Sequence, residues 1–171
     1  MKDFVPENQF SRDPPLLASA EFSALPSRQS GGEQYLVFCA GGEQLYAVSS
    51  KNVSEALSSL PLTILPNAPE WLLGIANLRG EVVSVLDLAS ILQKNSSKTA
   101  PKTKFIVLRS QIFESGAAFP ADKINEIATI PSAEIQRRAD TDSPHIYGQA
   151  VYKSQTLNLI DTEKLLASLK L

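Results

Sequence analysis

The run Gly74-Ile-Ala-Asn-Leu-Arg-Gly-Glu-Val-Val-Ser-Val-Leu-Asp-Leu-Ala-Ser-Ile-Leu92 returns, 74 positions later and without a gap, as Gly148-Gln-Ala-Val-Tyr-Lys-Ser-Gln-Thr-Leu-Asn-Leu-Ile-Asp-Thr-Glu-Lys-Leu-Leu166. Gly74 stands over Gly148, Ala76 over Ala150, Arg79 over Lys153 and Asp87 over Asp161. An internal repeat of this kind means that one supersecondary unit is used twice. Val83 and Val85 stand two apart across Ser84, as Leu157 and Leu159 do across Asn158, which places each pair on one face of a strand. Asp87 and Asp161 fall where the strand stops and a short helix starts. A carboxylate there accepts hydrogen bonds from the first-turn N–H groups, worth about 1 kcal/mol, so both are read as N-caps.

Working outward, Tyr35-Leu-Val-Phe38 resembles Phe105-Ile-Val-Leu108, and Val53-Ser-Glu55 resembles Ile124-Asn-Glu126. Each unit is therefore about 70 residues of short strands. Gln34–Ala40 and Gln44–Val48 read as a hairpin closed by Gly41-Gly42, and Ile75–Leu78 and Glu81–Leu86 as a hairpin closed by Arg79-Gly80. Ser50–Leu57 fits either helical or extended spacing. Pro69–Leu73 reads as a helical turn with proline at an early position, and Ala89–Gln93 as a short helix. Strands this short and strongly turned close into small barrels, which removes exposed edges. The polar stretch 93–103 is the expected break between two lobes. Residues 1–33, with Pro6, Pro14, Pro15 and Pro26 and a Ser30-Gly31-Gly32 end, read as a flexible tail preceding a domain at 34–171.

Composition narrows the function. The 171 residues are 43% hydrophobic and 20% charged, with a formal net charge of −2. No run of Lys or Arg provides the basic stripe of a nucleic-acid or anionic-membrane binder. Cys39 is the only cysteine, so no intrachain disulfide forms, which suits a reducing compartment. No stretch approaches the ~18 apolar residues of a membrane span. The expectation is a cytoplasmic protein without membrane insertion.

The sequence holds no P-loop, G-x-G-x-x-G, H-E-x-x-H or G-x-S-x-G pattern. Its single histidine, His145, and Cys39 are too few for the usual metal sites. His145 is read as a structural or surface histidine and Cys39 as an inert strand thiol. No catalytic residue, metal or cofactor is expected, and binding is favoured over catalysis. The rival from another class is a small-ligand barrel or minor hydrolase using Cys39 and His145.

Within Pro66–Leu88, the order Pro-Asn-Ala-Pro, an aromatic, Gly, two apolar residues, Asn-Leu-Arg-Gly, a β-rich run and Asp-Leu closely resembles the CheW-like domain of bacterial chemotaxis coupling proteins. The likeness extends more loosely from about Gln34 to the C-terminus. It implies a mainly β fold of two SH3-like five-stranded barrels with short helices. It also implies an adaptor that binds the regulatory domain of a CheA-type histidine kinase and the cytoplasmic tip of chemoreceptors; a pilus or gliding pathway would use the same scaffold. By position, the resemblance puts a receptor-facing groove at Val53, Glu55, Ala56, Gly74, Asn77, Arg79 and Gly80, and a kinase-facing surface near Leu62 and Ile64. Ala56 replaces a larger aliphatic residue and Ser84 a common proline. The second copy has Lys153-Ser154 for Arg79-Gly80, which suggests that only the first turn is specialised. Gly80 permits a tight turn and Asn77 can brace it. Arg79 on that turn is either a partner contact or half of an internal ion pair with Glu55 or Glu81. Trp71 is expected as a core anchor under the first barrel.

Overall fold

The computed structural model describes residues 31–93, 104–109, 116–138 and 143–169. Eleven strands form two sheets. β1 (Gly32–Cys39), β2 (Leu45–Ser49), β8 (Lys123–Pro131), β9 (Gln136–Arg137), β10 (Ile146–Tyr152) and β11 (Gln155–Ile160) make one, in the order β8-β1-β2-β11-β10-β9. β3 (Val53–Leu57), β4 (Leu72–Leu78), β5 (Glu81–Leu86), β6 (Lys104–Leu108) and β7 (Ala117–Ala121) make the other, in the order β3-β6-β7-β5-β4. The edge strands β8 and β9 are joined through the single 3-10 turn Ser132–Glu134, so the first sheet has to curl until its edges approach. The second sheet carries an isolated Thr63–Ile75 bridge on β4, at the place where β9 lies on β10. Both barrels thus have five regular strands and a short sixth contact.

The sheets do not divide at 93–103, the break expected from the repeat. β1 and β2, from before it, pair with β8 and β11, from after it. β6 and β7, from after it, pair with β3 and β5. The two units exchange their first hairpins, so each barrel is built from both halves. The physical reason lies in the apolar run of β1. Tyr35, Leu36, Val37 and Phe38 are all buried, and such a strand needs cover on both faces. Tyr35 and Val37 point into their own barrel with Leu45, Ala47, Leu157 and Leu159. Leu36 and Phe38 point into a shared core with Val53, Ile106, Leu108 and Phe119 of the other sheet. Phe38 and Phe119 meet there with ring centroids 5.1 Å apart. Val83, Val85, Phe105, Val107 and Ala118 fill the barrel of the β4–β5 hairpin, which carries the first of the two repeated turns.

Two short helices seal the shared core, α1 (Leu88–Gln93) and α2 (Thr162–Ser168), through Leu88, Leu92, Leu165 and Leu166. Both expected caps form: Asp87 accepts from the Ser90 N–H at 3.4 Å and Asp161 from the Lys164 N–H at 3.0 Å. No helix among the described residues is long and apolar enough to cross a membrane. Trp71 packs, partly buried, against the shared core between the barrels.

Three local expectations shift. Ser50–Leu57 divides into a 3-10 turn at Ser50–Asn52 and strand β3. Pro69–Leu73 is not helical: the Leu72 N–H bonds back to the Pro69 carbonyl at 2.9 Å and β4 begins at once, because Gly74 onward is needed for pairing with β5. The domain also begins before residue 34. Gly32 already pairs with Pro131, and Glu33 accepts hydrogen bonds from the Tyr35 hydroxyl at 3.0 Å and the Ser49 hydroxyl at 3.1 Å, with Lys51 Nζ at 3.2 Å. Burial pushes the Glu33 carboxyl up, but these donors more than offset it and hold it below its ordinary range. The tail before residue 31, and the linker after Gln93, lie outside the described residues.

Candidate functional site

The β4–β5 hairpin turns on two residues, Arg79 and Gly80, with φ of 55° and 91°. Positive φ at both central positions is the hairpin turn whose twist matches the strands it joins. Asn77 braces it as expected, its Oδ1 accepting from the Gly80 N–H at 3.0 Å. The Arg79 side chain then reaches to β3. Its Nη2 donates to Glu55 Oε2 at 2.8 Å, with the Arg79 side chain 69% exposed and that of Glu55 15%. Glu55 gets there through a bulge in β3, since the register with β6 slips between Val53 and Glu55. That slip turns the Glu55 side chain away from the core that Val53 occupies.

Of the two internal partners open to Arg79 from sequence, the structure selects Glu55. The pair is a rim contact, in the class worth about 0–1 kcal/mol. One carboxylate oxygen engages one nitrogen of a guanidinium that carries five N–H donors. Beside the pair lies an open groove of about 470 Å³, lined by Ser54, Glu55, Leu78, Arg79, Glu81, Val83, Val107, Leu108, Arg109 and Gly116.

The structure brings Glu55, Arg79, Asn77 and Gly80 together and separates the rest. Val53 is 2% exposed and belongs to the shared core, so it offers no surface to a partner and acts only by anchoring β3. Ala56 is half-buried, opposite Ile106. Gly74 is buried; a Cβ there would collide with the Thr63 carbonyl, so its role is to let the Thr63–Ile75 bridge form. Leu62 and Ile64 are exposed, Ile64 at 80%, and flank Thr63 on the segment between β3 and β4, outside the groove. Arg109 and Gly116 were not legible from sequence. Both sit at strand ends of the second unit and reach the first hairpin only through the exchange of β6 and β7.

The second unit repeats the ion pair. Lys153 and Ser154 adopt φ of 47° and 66°, and Lys153 Nζ lies 2.6 Å from Glu126 Oε1. Glu126 occupies the same bulged place on β8 that Glu55 holds on β3: the β1–β8 register slips between Val37 and Phe38. Tyr152 adds its hydroxyl to Glu126 and its ring to Lys153, 5.0 Å from the ammonium. An ion-paired turn is therefore common to both barrels.

Cys39 and His145 do not share surroundings. The thiol, beside Lys123, Asp122 and Glu43, is pushed above its ordinary range by burial, which keeps it protonated and weakly nucleophilic at neutral pH. His145, beside Lys164 and Asp161, is pushed down by burial, and its carbonyl accepts from the Asp161 N–H at 2.9 Å. Among the described residues no group of three His, Cys, Asp or Glu is placed to hold a metal ion.

The CheW-like domain model matches residues 34–170. The protein FrzA of Myxococcus xanthus is 32% identical over 84% of this chain and 91% of its own length. The chemotaxis protein CheW of Bacillus subtilis is 28% identical over 79% of this chain and 87% of its own. The crystal structure of the scaffolding protein TtCheW from Thermoanaerobacter tengcongensis superposes with a TM-score of 0.69 at 23% identity, covering 78% of this chain and 92% of that one, which bears on the fold. By the extent of the family match and the identity to FrzA, this chain is a member of the CheW-like domain family.

Proposed function

We propose that the chain is a signal-transduction adaptor that couples chemoreceptors to a CheA-type histidine kinase by binding both, without catalysis, in the cytoplasm at receptor arrays. The observation that carries this reading is the braced, exposed Arg79 turn standing at the lip of an open groove in a CheW-like domain. A rigid turn loses little entropy when its guanidinium is captured, and arginine is enriched among residues that dominate interface energies. The receptor tip is assigned to the groove. The regulatory domain of the kinase is assigned to the separate face around Leu62 and Ile64, where a large aliphatic side chain stands 80% exposed. Two faces on one rigid body allow simultaneous binding, which is what coupling requires.

The test is Arg79→Glu. The residue is exposed and its ion pair is a rim contact, so the variant folds with a stability loss of no more than about 1 kcal/mol. Affinity for a receptor-tip fragment falls by about tenfold or more, the effect of losing a hot-spot arginine. Unchanged pull-down of both a receptor tip and a kinase regulatory domain by the folded variant sinks the proposal. The relatives include FrzA as well as chemotaxis CheW proteins, so receptors and kinases of every chemosensory system in the organism belong in the assay.

A further inference from the structure

The two barrels carry the same ion-paired turn, yet the groove lies beside the first. The parallel pairs show what differs. Ser84 pairs with Ala117, and its repeat mate Asn158 pairs with Tyr46; the residues just before those partners are Gly116 and Leu45. Leu45 is buried inside its barrel. Gly116 has no side chain, and among the described residues a Cβ there would rest in ordinary van der Waals contact on Val83 Cγ2 at 3.6 Å, so the bulk that the second barrel supplies with a leucine is missing here. On the neighbouring strand, Leu108 and Phe38 are equivalent, facing Val53 and Ile124. The next residues are Arg109 and Cys39. The first barrel thus has a cation at a position where the second has a half-buried thiol.

Arg109 is exposed and rooted, its N–H donating to the Asn52 carbonyl at 2.7 Å. Asn52 is held in turn by its side-chain amide, 2.6 Å from the Thr162 hydroxyl at the start of α2. Among the described residues no carboxylate lies within ion-pair distance of the Arg109 guanidinium, whereas Arg79 is already matched by Glu55. Among the described residues the groove therefore presents apolar Leu78, Val83 and Val107, one cation matched by a carboxylate and one without such a match.

We infer that Arg109 is the specificity-determining residue of this groove, and that the segment it accepts is an amphipathic stretch of partner chain with an apolar face for those apolar side chains and a carboxylate for Arg109. Glu81 on the groove lining repels a second carboxylate there, so the acidic residue has one place to go and the segment one direction to lie. This rests on the reading of the groove as the receptor-facing site and adds the chemistry of what it takes.

The experiment measures binding of a chemoreceptor cytoplasmic-tip fragment from the same organism to Arg109→Glu, Arg109→Lys and Arg79→Glu, with a CheA-type regulatory domain as the control ligand. Arg109→Glu removes a rim ion pair and puts repulsion in its place, so affinity for the tip falls roughly 3- to 10-fold. Arg109→Lys keeps most of it, kinase-domain binding stays unchanged, and exchanging one acidic residue of the tip for lysine restores binding to Arg109→Glu. If Arg109→Glu binds the tip within twofold of wild type while Arg79→Glu is impaired, the inference falls and the groove reading survives. If neither variant is impaired, both fall. If Arg109→Glu is impaired but no charge exchange in the tip restores it, the carboxylate assignment is wrong.

Discussion

Replacing Gly74 by alanine tests whether this glycine holds the scaffold or meets a partner. Its φ is +151° and an added Cβ would overlap the Thr63 carbonyl oxygen, with the carbonyl carbon only 3.1 Å away. Backbone cannot rotate aside as a side chain can, so the Thr63 segment has to leave β4. Two hydrogen bonds go with it, Thr63 N–H to the Ile75 carbonyl at 2.7 Å and Ile75 N–H to the Thr63 carbonyl at 2.9 Å. At about 1 kcal/mol each, plus about 1 kcal/mol for alanine at positive φ, the loss is about 3 kcal/mol. Gly80 supplies the control: its φ is +91° but nothing lies within 4 Å of an added Cβ, so Gly80→Ala carries only the backbone cost, about 1 kcal/mol. Gly148→Ala has no positive-φ cost, but its Cβ would press on the β-branched Ile135 Cγ2 at 2.8 Å and approach the Gln136 carbonyl oxygen at 3.1 Å, an overpacking worth about 1–3 kcal/mol. In urea unfolding, with a slope of about 2 kcal/mol/M, Gly74→Ala moves the midpoint down by about 1.5 M and Gly80→Ala by about 0.5 M. A Gly74→Ala midpoint no lower than that of Gly80→Ala would refute the reasoning. A binding defect in Gly74 variants then reports on the displaced segment that carries Leu62 and Ile64, not on contact with the glycine.

Stability also depends on pH through His145, which burial, aided by Lys164 and opposed by Asp161, holds below its ordinary 6.5. The unfolded chain binds this proton first, so stability is full above pH 6.5 and falls as the pH drops from there toward the folded value. His145→Gln flattens the profile between pH 7 and 5.5; an unchanged slope in that window would discount the buried imidazole. Glu33, held low, contributes in a separate window below its ordinary 4.5. Cutting the chain between Gln93 and Lys104 leaves β2 without β11 and β5 without β7. Fragments 1–97 and 98–171 are therefore unfolded singly by circular dichroism and recover native signal when mixed, and a cooperative unfolding transition in either fragment alone would contradict the exchanged topology.

The sequence showed what each strand is, but not which sheet it joins. Alternation at Val83, Val85, Leu157 and Leu159 reported an inward face, and Asp87 and Asp161 reported helix starts, because both signals are local. The exchange of β1–β2 and β6–β7 between barrels is set by pairings between residues distant in sequence, such as Leu45 with Leu157 and Ser84 with Ala117, and by burial of both faces of Tyr35–Phe38. An apolar run states that burial without naming the partner sheet. The same limit applies at the site. Asn77, Arg79 and Gly80 are contiguous and were legible. Arg109 and Gly116 are ordinary residues at strand ends whose placement beside Arg79 is purely tertiary.

The repeat carries a further consequence for the turn. Lys153-Ser154 in place of Arg79-Gly80 suggests from sequence that only the first turn is specialised. In space, Lys153 finds Glu126 as Arg79 finds Glu55, and both acids sit at a bulge beside a two-residue turn of positive φ. A feature that both barrels keep is explained by the fold they share, so the ion pair alone does not mark a binding site. What sets the first barrel apart from the second is the missing side chain at Gly116 and the charge at Arg109. Both lie on the strands contributed by the other half of the chain. The turn can therefore stay constant while changes in β6 and β7 reshape the groove beside it, and recognition is set where the two halves meet.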